Sequence, residues 1–342
     1  MQLPSPFGLL RLSLGITAAL STFGGAFPNG DVRASLTERG AAKECNRACL
    51  SNIVDQFLVS VVRHDPFSLP LASIYKATEN SHSAALTMMT LWRTVTRVNK
   101  PSLLAIDSKQ GTVYFSLDID EGGITNILRT RLKVVNRKIT ELEIFVNRYR
   151  GEHGFSFSAE ELPSNYAVLM SPPANRTKAS RKDLTSLSKA LFATSSDFKV
   201  TVSDTCQFSE IGWKVVDTGV YANGTTDPLG CSWPDAHPTD KKARVALVVD
   251  EELGFVVTSG MIPGIIYPYQ NVSAFIPDAM PSAQEAQDVW YAYAQAKGQG
   301  PLVAPAAGMG ETLEVLQYYN DELQAMQINV YLNAPNATSL WL

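Results

Sequence analysis

Residues 136–146, NRKITELEIFV, return without a gap as residues 320–330, NDELQAMQINV. Each copy opens on an asparagine turn and continues with apolar residues at alternate positions, the period of a strand with one buried face. A second signature precedes each copy in the same order. Asp107, Gly111 and Val113 are spaced as Asp250, Gly254 and Val256 are. Two signatures repeated in one order mean that one supersecondary unit occurs twice, and the period is too long for a solenoid. The chain is expected to be α+β, with two tandem domains at 45–160 and 180–342. Each would carry helices packed on a curved antiparallel sheet, and the pair would form a pseudo-dimer within one monomeric chain.

Spacing places the elements. Ile53, Phe57, Leu58, Val61 and Val62 recur at helical intervals over 45–63, and the helix should stop at His64-Asp65-Pro66 because the residue before proline resists the α conformation. Residues 84–98, 182–198 and 283–297 also read as helical. Residues 126–135 and 139–148 read as a hairpin. A three-residue loop, Asn136-Arg137-Lys138, sets Arg131 opposite Glu143 and Lys133 opposite Glu141, with Leu132 opposite Leu142 on the other face. A two-residue loop would mix the faces, so the odd loop is the consistent choice. Residues 261–282 are Pro-rich and aromatic, and 301–310 read as a link.

Residues 9–20 are an apolar stretch of signal-peptide length, and Gly24 and Ala26 supply small residues before Phe27, so 1–26 is expected to be a signal peptide. No other stretch is long and apolar enough to span a bilayer. Sequons at Asn175, Asn223, Asn271 and Asn336 fit a secreted glycoprotein. So does the even count of four cysteines. No metal site is expected, because the short Cys-x-x-Cys and His spacings of one are missing. Four cysteines allow three pairings. An i,i+4 bridge inside a regular helix is strained, so Cys45 and Cys49 are expected to join Cys206 and Cys231 in some order. A net charge of −4 with no basic patch argues against nucleic acid and anionic membrane surfaces as partners.

The order of one helix, a short turn and a curved sheet closing on a long hairpin is that of the nuclear-transport-factor-2-like (cystatin-like) fold. Cys45 to Leu50, His64-Asp65-Pro66, residues 69–72, Tyr75 to Asn80, residues 91–94 and the 131–143 hairpin resemble a secreted fungal family of largely unknown function, as do Cys206, Cys231 and residues 244–254. The chain departs from that pattern at Met88, Met89 and Thr90, where the family has glycines. The resemblance implies cone-shaped domains. It also implies a class of cofactor-free dehydratases, isomerases and polyketide cyclases, such as scytalone dehydratase and ketosteroid isomerase, alongside many non-catalytic binding domains.

Acid–base work in a cone-shaped pocket needs a His or carboxylate in an apolar setting. Glu79 is the candidate base, with Tyr75 or His82 as proton donor. His64 and Asp65 form a second candidate pair. Each also has a plainer reading as a helix cap or helix end. Trp92 is a candidate pocket wall or core residue. Arg131 and Glu143 are a charged pocket floor if their face is concave, and surface pairs if it is convex. The second copy has Val315 and Gln327 at the matching places, so a catalytic site is expected in the first. His153 and His237 lie in polar loops and take no role. No phosphate loop, nucleophile elbow or zincin helix occurs. Two functions follow: a cofactor-free lyase, isomerase or cyclase acting on a small apolar metabolite in fungal secondary metabolism, or a secreted or cell-surface binding protein without turnover. A deep apolar pocket around Glu79 or His64 would favour the first, and a filled core the second.

Overall fold

Asn46 starts the first helix, accepting the Cys49 N–H on its side-chain oxygen at 3.0 Å, the role for which asparagine is favoured there. In the computed structural model, which describes residues 45–148, 158–193, 196–215, 230–233, 239–269, 272–298 and 303–342, this helix is α1 (Arg47–Val62). Its Leu50, Ile53, Val54, Phe57 and Val61 are buried. The expected signal segment, Asn223, Asn271, His153 and His237 lie outside the described residues.

After α1 come β1 (Leu71–Glu79), β2 (His82–Ser83), the short helix α2 (Leu91–Thr94), β3 (Arg97–Val98), β4 (Leu103–Asp107), β5 (Thr112–Glu121), β6 (Ile124–Val135) and β7 (Lys138–Asn147). They form one sheet in the order β2-β1-β7-β6-β5-β3, with β4 also paired to β5. Within it β1 runs parallel to β7. The rest of the chain gives α3 (Leu162–Ala167), α4 (Arg181–Ala190), β8 (Val202–Glu210), β9 (Trp213–Lys214), β10 (Arg244–Asp250) and β11 (Phe255–Ser259). It continues with β12 (Met261–Tyr269), β13 (Val272–Pro277), α5 (Pro281–Ala296), β14 (Ala306–Thr312), β15 (Glu314–Tyr319), β16 (Glu322–Ile328) and β17 (Val330–Asn333). The second sheet runs β10-β11-β15-β16-β8-β9, with β8 parallel to β16 as β1 is to β7. A third, β13-β12-β14-β17, prolongs it, since the β12–β14 pairing continues the register of β11–β15. The protein is thus α+β, with mixed and antiparallel sheets and few helices. Among the described residues no helix is long and apolar enough to cross a membrane.

The expected helix over 84–98 is instead a 3-10 turn at Leu86–Met88, then α2 and β3, and the one over 182–198 ends at Ala190. The Pro-rich stretch and the 301–310 link carry strands β12, β13 and β14. In the inner strand β12, Pro263 pairs only with β14 and Pro268 only with β13, so each has a side on which no ladder bond is needed.

The hairpin register follows the charges: Arg131 faces Glu143, Lys133 faces Glu141 and Leu132 faces Leu142. The turn that delivers it is different. Val135 pairs with Lys138, leaving a two-residue loop in which Asn136 and Arg137 both have positive φ, 51° and 61°, the conformation favoured in tight hairpins. A bulge at Thr140 then restores the faces. The second copy repeats the device, with φ of 55° and 59° at Asn320 and Asp321 and a bulge at Gln324.

Both Asp-x-x-x-Gly signatures make the same turn. Asp107 accepts the N–H groups of Lys109 and Gln110, and Asp250 those of Glu252 and Leu253. Each aspartate also reaches into the other copy. Asp250 accepts the Ile106 N–H at 2.9 Å and Asp107 the Val249 N–H at 3.2 Å. Arg47, the first residue of α1, binds both Asp250 oxygens at 3.0 Å, and Arg181, the first residue of α4, binds Asp107.

The central strands of the first sheet, β5 to β7, are buried on both faces. One packs on α1 through Phe57, Phe115, Leu132 and Ile144. The other meets the second sheet, with Tyr114, Ile127 and Phe145 against Val248, Phe255 and Val315. The disulfides correct the expected pairing: Cys45 joins Cys49 and Cys206 joins Cys231. Cys45 precedes the N-cap, so the helix does not dictate its geometry, and the Cα atoms lie 5.2 Å apart, within bridging range.

Candidate functional site

Glu79 ends β1 and is buried. Its two oxygens accept the backbone N–H groups of Thr90 and Leu91 at 3.1 and 3.0 Å, and the Thr90 hydroxyl donates to it as well. It therefore caps α2 from a neighbouring strand. His64 is exposed, and its Nδ1 donates to the Trp92 carbonyl at 2.7 Å. Glu79 and His64 thus meet at one short segment, residues 90–92, and both hold it in place. Asp65 caps the turn that follows α1, accepting the Phe67 N–H. His82 is exposed and bonds the Asn80 carbonyl, and Tyr75 is half-buried at the edge of the core.

Trp92 lies in the core, its ring edge-on to Phe57 at 5.6 Å and its Nε1–H on Ser60 at 3.1 Å. Phe57 stacks edge-on to Phe115 at 5.4 Å. Together with Leu132, Leu142 and Ile144 these rings fill the face between α1 and the first sheet.

Arg131 and Glu143 are brought together on the opposite face, where the two sheets meet. Arg131 is 3% exposed and Glu143 fully buried. Arg131 Nε donates to Glu143 at 2.7 Å and Nη2 to Glu141 at 2.8 Å. Arg244, from β10 of the second copy, donates to the same Glu143 carboxylate and to Ser259. Burial alone would raise the pKa of Glu143, but the two guanidiniums hold it below the usual carboxylate range. Burial likewise disfavours the charge on Arg131, and its two carboxylates outweigh that. Glu311 lies 3.9 Å from Arg244, and burial pushes its carboxyl upward, with Glu143 adding to the shift.

Trp341 covers this floor. Its ring lies 5.1 Å from the Arg131 guanidinium, 5.8 Å from that of Arg244 and 4.8 Å from the Lys76 ammonium, distances at which a cation is drawn to the ring face. The segment carrying it is pinned by Ser339, which bonds Glu311, and by the Leu340 carbonyl, which accepts from Lys76. Between Trp341 and the hairpin opens a cleft of about 240 Å³, lined by Gln110, Thr112, Arg131, Lys133, Glu141, Arg244 and residues 245–247. Its far wall is irregular backbone. The β10 ladder shifts register between Arg244 and Val248, and Ala246 has a φ of 51°, the kind of local distortion that re-aims groups beside binding sites.

The hairpin charges were legible as partners in the sequence. Arg244 and Trp341 were not, because neither belongs to the repeated signature and both reach the site only through tertiary folding.

No protein-family model matches the chain, and no curated protein matches it. Among solved structures, a de novo designed protein with a curved β-sheet aligns at 14% identity and a TM-score of 0.26, covering 30% of this chain and 88% of that one. The putative hydroxylase AclR from Streptomyces galilaeus aligns at 10% identity and a TM-score of 0.26, covering 30% and 81%. At these values both are distant likenesses over part of the chain.

Proposed function

We propose that this is a secreted binding protein without turnover, and that its ligand site is the cleft under Trp341. The observation that carries the reading is the charge balance of the floor. Arg131, Arg244 and Lys133 pair with Glu141 and Glu143, Lys76 lies over the Trp341 ring, and burial shifts Glu311 toward its neutral form. A surplus of cations beside an aromatic ring suits a small planar molecule bearing a carboxylate. The filled space between α1 and the first sheet, and the use of both Glu79 oxygens as a cap, favour binding over acid–base catalysis. The polar lining argues for an anionic ligand rather than an apolar metabolite.

The repeat and its reciprocal aspartate contacts support two cone-shaped nuclear-transport-factor-2-like domains, 45–160 and 180–342, fused as a pseudo-dimer. The two disulfides and the exposed sequons at Asn175 and Asn336 support passage through the secretory pathway.

Titration with benzoate, followed by tryptophan fluorescence, tests the site. Saturable quenching is expected, weakened at least tenfold in Lys133→Ala and abolished in Trp341→Ala. Glu79→Gln should bind benzoate normally and lose about 1 kcal/mol of stability, the scale of a lost cap. Equal benzoate affinity in wild type, Lys133→Ala and Trp341→Ala would remove the cleft from consideration.

A further inference from the structure

We infer that a small monovalent inorganic anion, of chloride size, binds between the two sheets on the guanidinium of Arg129. Arg129 is 1% exposed. Its Nε donates to the Asn147 side-chain oxygen at 2.8 Å, and the ring of Phe145 covers one side of the guanidinium at 5.1 Å. The Tyr114 hydroxyl interacts with the guanidinium but makes no well-aligned bond to Nη1 or Nη2, and among the described residues no carboxylate lies within 4.0 Å.

An arginine keeps its proton inside a protein, so this charge needs compensation where it stands. Water can accept its hydrogen bonds but cannot neutralise it. The strand beside it and the sheet packed against it carry donors. Ser116 stands directly opposite Arg129 in the β5–β6 register, and Tyr114 lies two residues along on the same face. From the second sheet, Ser209 and Gln327 are register partners on β8 and β16. All four are fully buried; the Tyr114 hydroxyl interacts with Arg129 and with Ser116, and Ser209 with Tyr166, while the Gln327 amide reaches no partner in bonding geometry among the described residues. The guanidinium with the Tyr114 and Ser116 hydroxyls beside it offers donors to an anion without hydration, and Ser209 and Gln327 belong to the sheet packed against this face. Glu314 is the acidic side chain whose charge bears on Arg129. Its carboxylate accepts the Asn329 N–H at 3.2 Å, and burial pushes its pKa up to about 8, away from the charged form.

Thermal unfolding of the full chain at fixed ionic strength, in sodium chloride, bromide or gluconate, tests this. Gluconate is too large for a buried site. The midpoint should be several degrees higher in either halide, because a ligand bound only to the native state stabilises it by mass action. Arg129→Met should lose the difference. Should that variant not fold, Tyr114→Phe with Ser116→Ala should reduce it. Crystals grown in bromide should show an anomalous peak within hydrogen-bonding distance of Arg129 Nη1 or Nη2. Equal midpoints in halide and gluconate, or water density alone beside Arg129, would overturn the proposal.

Discussion

At the scale of single residues, burial decides which charges matter. Glu314 shows how far it can go. An ordinary glutamate titrates near 4.5, and the interior raises Glu314 to about 8. The folded state then holds a proton that the unfolded chain releases between those values. Its contribution is fully present below about pH 4.5 and is lost as pH rises through about 8. Glu314→Gln cannot titrate. Relative to wild type it should gain stability with rising pH, by an amount on the order of a few kcal/mol between pH 5 and pH 8.5. Urea unfolding at those two values measures it, and a pH-independent difference between the proteins would refute the assignment. The sequence carried little of this. Glu314 sits in a strand beside Thr312 and Leu313, and nothing in its neighbours says that both sheet faces are covered. Alternating charges on a strand ordinarily mark a solvated face. Here the charged face of β6 and β7 became an interface, so Arg129, Arg131 and Glu143 are buried rather than exposed.

At the scale of elements, the repeat was legible because turns need particular residues. A positive φ and a close backbone approach together leave room only for glycine. Gly111 has a φ of +66°, and a Cβ there would stand 2.3 Å from the Val134 carbonyl oxygen; at Gly254 the values are +78° and 2.5 Å from that of Tyr318. The same carbonyl-side contact recurs in both copies, with Gly111 and Gly254 each accepting an N–H, from Val134 and Tyr318. Replacing either glycine by alanine should cost about 1–3 kcal/mol. Gly122 is the control: its φ is +68°, but an added methyl would meet no atom within 4 Å. Denaturation midpoints should place Gly111→Ala and Gly254→Ala together, well below Gly122→Ala, and equal losses at all three would show that the close approach is unimportant. Other features escaped sequence reading. The hairpin bulges at Thr140 and Gln324 leave no signature of their own, since either residue would serve equally in a regular strand. The local disulfide at Cys45 depended on where the helix began, a boundary two residues from the one expected.

At the scale of the molecule, the two copies are held by exchanged contacts rather than by apolar packing alone. Each signature aspartate is fully or almost fully buried and takes hydrogen bonds from both copies. Each is neutralised by the arginine that opens a helix: Arg47 of α1 for Asp250, Arg181 of α4 for Asp107. This gives the repeated aspartate a reason that turn formation alone would not, because Asn also suits such a turn but would not balance an arginine. Removing one partner of a buried pair leaves the other without compensation. The arginines are 34% and 26% exposed, which moderates the loss. Arg47→Met and Arg181→Met should each destabilise the protein by about 1–3 kcal/mol. Adding Asp250→Asn to Arg47→Met should cost less than it costs in the wild type, since the charge it removes is already unpaired. The same should hold for Asp107→Asn with Arg181→Met. Crossing the pairs, Asp107→Asn with Arg47→Met, should give additive losses. Urea unfolding of the single and double variants measures all of these, and coupling that is no stronger within the pairs than across them would show that the two copies are not joined through these aspartates.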